Sequence, residues 1–169
     1  MEVVRALVSD PQVLFLDEPT VGLDTRVRHD LFDVLTTLRE RTGVTILMTT
    51  HYLDEAERLC DRIAIVDGGR IVACDTPPDL LRALGDEVLE LRLDAPDPAV
   101  AALRAAGVPA DDILVIGATV TVVLRARAAQ DLIGLLRERS LVLRAVTTRR
   151  PTFDDVYLRL TGDRIGDEH

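Results

Sequence analysis

Two short apolar runs, each followed directly by polar residues, mark the first part of the chain. The first run stops at Asp17 and Glu18, and a proline and a glycine follow closely and turn the backbone. Such a run between turn residues is typical of a strand buried on both faces of a parallel sheet, so we predict a strand over residues 12–17. The second run predicts a strand over residues 44–50, which is followed by His51.

An amphipathic helix is predicted between these two strands, over residues 26–41, and Asp24 or Thr25 can cap its first turn. Gly43 ends this helix just before the second strand. A strand, a helix and a strand joined by short loops form a βαβ unit, whose strands pair in parallel. Because ligands of parallel sheets bind beyond the carboxyl ends of the strands, the residues that follow the two strands are candidates for a functional site.

Shorter elements are predicted on both sides of this unit along the chain. A helix over residues 2–9 is closed by an Asp-Pro pair, and a second short helix covers residues 52–60. An Asp-Gly-Gly turn between apolar flanks predicts a hairpin of strands over residues 62–67 and 70–74. A threonine followed by two prolines then opens a helix over residues 76–84.

The pattern changes after Gly85, where shorter strands alternate with helices. The order strand, helix, strand, strand, helix, strand matches a ferredoxin-like α+β unit, and one more helix follows it. The predicted strands cover residues 88–93, 112–116, 119–125 and 141–148, and the predicted helices cover 97–106, 128–139 and 151–160. We therefore predict a domain over residues 1–85, a second domain over 86–162 and a flexible tail over 163–169.

Composition and charge exclude several classes of protein. The 169 residues carry 29 acidic and 20 basic side chains, for a formal net charge of −9, which disfavours nonspecific binding to nucleic acid. The two cysteines, Cys60 and Cys74, form no metal-binding pattern and favour a reducing compartment. The apolar runs are shorter than the roughly 20 residues that cross a bilayer. Any association with a membrane is therefore expected to occur through a partner.

Three residues at the strand ends suggest phosphate chemistry. Asp17 can hold Mg²⁺ through water, and Glu18 can polarise the water that attacks a terminal phosphate. Because adjacent parallel strands end at the same edge of a sheet, His51 is expected near both carboxylates, where it can donate a hydrogen bond to a phosphate oxygen. Acids at a strand end can instead cap the next helix, and a single histidine there can be structural. The combination of the three residues favours the chemical interpretation.

Several segments together resemble the ATPase subunits of ABC transporters, and the resemblance covers essentially the whole chain. The apolar run with its two acids is similar to the Walker B segment, and the residues after it are similar to the D-loop and the switch histidine. The end of the chain resembles the C-terminal extension of drug-exporter ATPases of the daunorubicin-resistance type. The segments are Leu14–Thr20, Val21–Asp24, Thr49–His51 and Phe153–Gly162, supported by Glu2–Pro11, Tyr52–Glu57 and Asp67–Ile71.

This resemblance implies a fold, a site and partners. The fold is the C-terminal part of a P-loop NTPase of the RecA-like ABC type, with a parallel sheet, followed by the small ferredoxin-like domain. Asp17 would support Mg²⁺, Glu18 would be the general base, His51 would sense the γ-phosphate of ATP, and Asp24 would lie at the interface of two ATPase subunits. The implied partners are a second copy of the subunit and a membrane permease, which would place the chain in the cytoplasm at the inner face of the membrane.

One departure from the family is large. No Gly-x-x-x-x-Gly-Lys-[Ser/Thr] sequence occurs, and the Leu-Ser-Gly-Gly signature is missing as well. We therefore expect an N-terminally truncated subunit that neither binds nor hydrolyses ATP appreciably alone. A non-enzymatic alternative is a dimerisation or regulatory module built on residues 86–162. A free-standing phosphohydrolase using Asp17 and Glu18 is disfavoured, because nothing else in the sequence grips a phosphate.

Overall fold

The computed structural model describes residues 11–162 of the chain, which form a mixed α/β structure. It divides into two compact units, Met1–Cys60 and Asp61–His169, and each is described by itself. The helix predicted over residues 2–9 and the tail predicted over 163–169 lie outside the described residues. The domain boundary predicted near residues 85–86 falls inside the second unit and stays a prediction.

The first unit contains the predicted βαβ arrangement. Strand β1 covers Val13–Asp17, helix α1 covers Thr25–Thr42, strand β2 covers Thr45–Thr49, and a short helix α2 covers Leu53–Leu59. The predicted parallel pairing of the two strands is confirmed, with Asp17 opposite Thr49 at their carboxyl ends. This register brings the polar residues that follow the two strands to one edge of the sheet.

Burial of the two strands differs from the prediction. Leu14 is buried, but its neighbour Phe15 is 72% exposed, and Leu47, which pairs with Phe15, is 58% exposed. Alternate side chains of a strand point to opposite faces, so one face of this two-stranded sheet is covered and the other is open within the described residues. The expectation that β1 is buried on both faces is therefore wrong for the described part of the chain.

The second unit begins with the predicted hairpin, which is confirmed. Strand β3 covers Ile63–Asp67 and pairs in antiparallel fashion with strand β4, which covers Arg70–Asp75. Both glycines of the connecting turn have positive φ angles, a conformation that glycine adopts without steric cost. Helix α3 follows over Pro77–Arg82, and its first turn is capped by the Thr76 side chain, which accepts a hydrogen bond from the Asp79 N–H group.

The remaining strands and helices of the second unit follow one another in the predicted order. The elements are β5 (Val88–Leu93), α4 (Pro96–Ala105), β6 (Ile113–Ile116), β7 (Thr119–Val123), α5 (Ala129–Glu138), β8 (Leu143–Arg149) and α6 (Phe153–Thr161). The four strands form one antiparallel sheet in the order β6-β7-β5-β8. Leu and Val side chains of β5 and β7 form a buried core together with side chains of α4 and α5.

The last helix begins two residues later than predicted, after Pro151. Thr152 is its N-cap, and Asp155 accepts a hydrogen bond from the Thr152 N–H group at 2.8 Å, which completes a capping box. Asp155 also accepts two hydrogen bonds from the Arg149 guanidinium, so the end of β8 and the start of α6 are joined by an ion pair. None of the helices described in residues 11–162 is long and apolar enough to cross a membrane.

Candidate functional site

The carboxyl ends of β1 and β2 meet at a polar cluster. The Thr49 hydroxyl donates a hydrogen bond of 2.5 Å to Oδ1 of Asp17, the residue opposite it in the register. The N–H group of Glu18 donates to the Thr49 carbonyl oxygen at 3.2 Å and to its hydroxyl oxygen at 3.0 Å. One threonine therefore orients both the Asp17 carboxylate and the Glu18 backbone.

Glu18 has an unusual backbone conformation. Its φ angle is +43°, in the left-handed region that residues other than glycine rarely adopt. Non-glycine residues held in this region are strained, and such residues cluster at functional sites. The Glu18 carbonyl then accepts a hydrogen bond from the Val21 N–H group at 3.2 Å, which closes the turn that follows β1.

The structure brings Glu18 and His51 together, as the strand order predicted. Oε1 of Glu18 lies 3.4 Å from Nδ1 of His51, and both side chains are about half exposed to solvent. The His51 ring also packs against the Tyr52 ring, with the ring centroids 4.1 Å apart. A carboxylate and an imidazole in contact at an accessible sheet edge can accept, hold and donate a proton. The roles predicted for the two residues stay predictions.

Asp17 is exposed, and its surroundings offer oxygen atoms from a carboxylate and a hydroxyl. Mg²⁺ prefers oxygen ligands, and it is often held by only one or two carboxylates together with waters and substrate phosphates. Within the part of the chain that the structure describes, no group of three or more His, Cys, Asp or Glu side chains could hold a metal ion. The donor set at Asp17 therefore fits a water-mediated magnesium ion and does not form a closed metal site.

Asp24 occupies the N-cap position of α1. Its Oδ1 accepts a hydrogen bond of 2.9 Å from the Val27 N–H group, and the residue is exposed. This confirms the capping that the sequence allowed at Asp24 or Thr25 and assigns it to Asp24. Its predicted place at an interface between two subunits stays a prediction.

Sequence reasoning missed a buried polar group beside this cluster. Glu55, in the first turn of α2, is 0% exposed, and its Oε2 accepts hydrogen bonds of 2.9 Å from the hydroxyls of Thr20 and Thr50. Arg28 of α1 places its Nε 3.4 Å from Oε1 of the same carboxylate. A glutamate among other acids of a short helix gives no sign of burial, because it looks like any exposed residue of the first turn.

The chain is similar in sequence to curated proteins whose names describe ATP-binding proteins of drug resistance and of Nod factor export. It is 40% identical to the daunorubicin resistance ATP-binding protein DrrA3 of Streptomyces coeruleorubidus, over 96% of this chain and 52% of that protein. It is 39% identical to the Nod factor export ATP-binding protein I of Rhizobium etli, over 96% of this chain and 49% of that protein. The daunorubicin/doxorubicin resistance ATP-binding protein DrrA of Streptomyces peucetius is 35% identical over 99% of this chain and 52% of its own length.

The chain thus spans about half the length of the curated relatives it matches. No protein-family model matches it. Among solved structures, CbiO1 of Clostridium perfringens, described as part of the ABC transporter complex CbiONQ, is 30% identical, with a TM-score of 0.43 over 48% of this chain and 35% of that chain.

Proposed function

We propose that this chain, which is homologous over nearly its whole length to the ATP-binding proteins of ABC transporters, supplies the metal- and water-handling half of an ATP-hydrolysing site in an exporter. The observation that carries the proposal is the position of Asp17, Glu18 and His51 at the carboxyl ends of two paired parallel strands. By this proposal, residues 11–60 form part of an ABC ATPase domain of the P-loop NTPase class.

Each residue of the cluster has a proposed role that its contacts support. Asp17, oriented by the Thr49 hydroxyl, would hold Mg²⁺ through water, and the ion would neutralise phosphate charge when bound. Glu18 is proposed as the general base, because its carboxylate is accessible and its backbone is anchored to β2. His51 orients Glu18 and can donate a hydrogen bond to the γ-phosphate of ATP.

The 169 residues are proposed to lack activity alone. They contain no lysine, whereas the loop that cradles ATP phosphates uses a lysine after its glycines. A second ATPase subunit, contacted through Asp24, and a membrane permease are the proposed partners, and the chain would act in the cytoplasm at the inner face of the membrane. The net charge of −9 supports the absence of nucleic acid among the partners.

The second unit is proposed to contain a ferredoxin-like extension. Support comes from the strand order β6-β7-β5-β8, from the antiparallel pairing of all four strands and from the two helices that share one core with them. A role in dimerisation or regulation for residues 86–162 remains the alternative function. If that alternative holds, the chain will self-associate or bind a small molecule through residues 86–162, and Glu18→Gln will not change this binding.

To test the proposal, this chain is joined to the part of DrrA3 that it does not match. MgATP hydrolysis by the joined protein is then measured. In the joined protein, Glu18→Gln is expected to lower kcat by about 100- to 1000-fold while ATP binding is retained, as for loss of a group that acts in the transition state. The matched control, Glu40→Gln on the exposed side of α1, should leave the rate unchanged. Strong ATPase activity of the 169 residues alone, abolished by Glu18→Gln, would refute the proposal that this chain supplies only half of the ATP-hydrolysing site.

A further inference from the structure

We infer that Glu55 is a positioning residue whose buried carboxylate joins the loop after β1 to the loop after β2 and thereby sets the contact between Glu18 and His51. The Glu55 bridge, as we call it, consists of Glu55 and the hydroxyls of Thr20 and Thr50. Its relevance to phosphate chemistry rests on the proposed function, but the bridge itself is a property of the folded chain. Because the Glu55 side chain is fully buried, its role is to position other residues.

The geometry of the bridge is specific. Both hydroxyls donate to the same oxygen, Oε2 of Glu55, at 2.9 Å, so that one atom connects two loops from different parts of the chain. Thr20 is 1% exposed and lies two residues after Glu18. Thr50 directly precedes His51. Each arm of the bridge therefore ends beside one member of the Glu18–His51 pair.

A third element, helix α1, is attached through Arg28. Its Nε lies 3.4 Å from Oε1 of Glu55, and neither atom has a hydrogen-bond partner among the described residues. The guanidinium lies over the Tyr52 ring, 4.4 Å from the ring centroid, and Tyr52 in turn packs against His51. Arg28 therefore balances the buried charge and supports the same loop from a second side.

A purely stabilising role does not explain this arrangement. Burying a carboxylate costs more free energy than burying an apolar side chain of similar size, and an incompletely hydrogen-bonded ion pair recovers only part of that cost. Glu55 also lies in the first turn of α2, where its charge could favour the helix from the surface. Its carboxylate instead faces two loops and another helix. This orientation favours a role in fixing the loops.

Amide hydrogen exchange measured by NMR on the whole chain tests the bridge without nucleotide. In Thr20→Val, the Tyr52 N–H group, which donates to the Thr50 hydroxyl at 3.0 Å, is expected to exchange about tenfold faster than in the wild type. The reason is that the Thr20 hydroxyl donates to the same Glu55 oxygen as the Thr50 hydroxyl does. In Thr50→Val, the Leu23 N–H group, which donates to the Thr20 carbonyl, is expected to exchange faster by a similar factor. An effect confined to the loop that carries the substitution would refute the bridge.

Conservative replacement separates the bridge from the ion pair. The amide oxygen of Glu55→Gln can still accept both hydroxyls, so exchange at Tyr52 and Leu23 should stay within about twofold of the wild type. Glu55→Leu removes the acceptor and should raise both rates, and the exposed Glu57→Gln on the same helix is the control. If Glu55→Leu fails to fold, the two valine variants decide the question. Equal acceleration in Glu55→Gln and Glu55→Leu would refute the bridge and assign the effect to Arg28.

The joined protein then separates failure of the bridge from failure of the proposed function. There, Thr20→Val is expected to lower kcat about tenfold with KM for ATP within about twofold, because it displaces Glu18 from His51 without removing either group. If the joined protein and its Glu18→Gln variant hydrolyse ATP equally, the proposed function fails while the exchange result still decides on the bridge. An unchanged kcat in Thr20→Val, in an active joined protein, would contradict the positioning role.

Discussion

The N–H group of Glu18 donates hydrogen bonds to both oxygen atoms of Thr49, at 3.2 Å to the carbonyl and at 3.0 Å to the hydroxyl. This double contact anchors a residue whose φ angle of +43° is costly for a glutamate. The strain is compensated by the end of β2, since the same hydroxyl also binds Asp17. The Thr49 hydroxyl therefore helps to hold the Glu18 backbone in this conformation.

Replacement of Thr49 should expose this dependence. Thr49→Val removes the hydroxyl without changing the shape of the side chain. We expect the free energy of unfolding to fall by about 1 to 2 kcal/mol, because the Asp17 carboxylate loses a donor and the Glu18 N–H group keeps only the carbonyl acceptor. Thr49→Ser should restore most of the loss. Urea denaturation measures the difference, with the exposed Thr45→Val on the same strand as the control. Equal stability of Thr49→Val and the wild type would contradict the role given to the hydroxyl.

Asp24 offers a test that separates capping from charge. Asp24→Ala should lower stability by about 1 kcal/mol, because the Val27 N–H group loses its acceptor. Asp24→Asn should stay within a few tenths of a kcal/mol of the wild type, since an asparagine caps equally well. Thermal unfolding followed by circular dichroism gives both values. A loss in Asp24→Asn as large as that in Asp24→Ala would show that the negative charge, and not the cap, stabilises α1.

The paired strands and the residues at their ends could be predicted from the sequence, because strands are indicated by local runs of apolar residues and their ends by turn residues. The parallel pairing followed from the helix-containing connection between the strands, whereas the register that places Asp17 opposite Thr49 came from the structure. The left-handed backbone of Glu18 and the burial of Glu55 did not follow. Both depend on contacts between loops 31 to 35 residues apart in the chain, which no local pattern encodes. The exposure of Phe15 was missed because an apolar run does not reveal how many faces are covered.

The ion pair between Arg149 and Asp155 should make stability depend on pH. Burial by itself raises the pKa of the Asp155 carboxyl, but the hydrogen bonds from Arg149 and from the Thr152 backbone outweigh it and hold that pKa below its usual range. A carboxyl with a lowered pKa in the folded state stabilises the fold above the unfolded pKa, about 3.9 for aspartate, and this contribution is lost as the pH falls through the folded pKa.

Arg149→Met should therefore destabilise the protein most at neutral pH. We expect a loss of roughly 2 to 3 kcal/mol at pH 7, because a buried carboxylate loses its cation, and a smaller loss at pH 3, where Asp155 becomes protonated in the variant. Urea denaturation at both pH values measures the two losses. Arg150→Met, at the exposed neighbouring arginine, should change stability by less than about 0.5 kcal/mol. An equal loss of stability in Arg149→Met at pH 7 and pH 3 would contradict the assignment of the pH dependence to the ion pair between Arg149 and Asp155.

The open face of the first sheet should promote self-association. Phe15 and Leu47 are paired across the two strands and both are largely exposed, which gives an apolar surface. Within residues 11–162, β1 and β2 pair with no further strand, so the edges beside this surface are open there. Phe15→Thr should reduce light scattering by concentrated protein while stability stays within about 0.5 kcal/mol, because little buried area is lost. Leu14→Thr, at the buried neighbour, should instead destabilise the unit and increase scattering. Unchanged scattering in Phe15→Thr would show that this face does not mediate association.

Local stability should differ between the two-stranded sheet of β1 and β2 and the four-stranded antiparallel sheet. In the antiparallel sheet, Leu89, Leu91, Val120 and Val122 are fully buried, so opening this part exposes a large apolar area. In β2 no side chain is buried, and in β1 only Leu14 is. Protected amides of β5 and β7 should therefore exchange at least about a hundredfold more slowly than those of β1 and β2. Equal protection would mean that the exposed face of β1 and β2 is covered in solution, and the Phe15→Thr variant would then lose that protection.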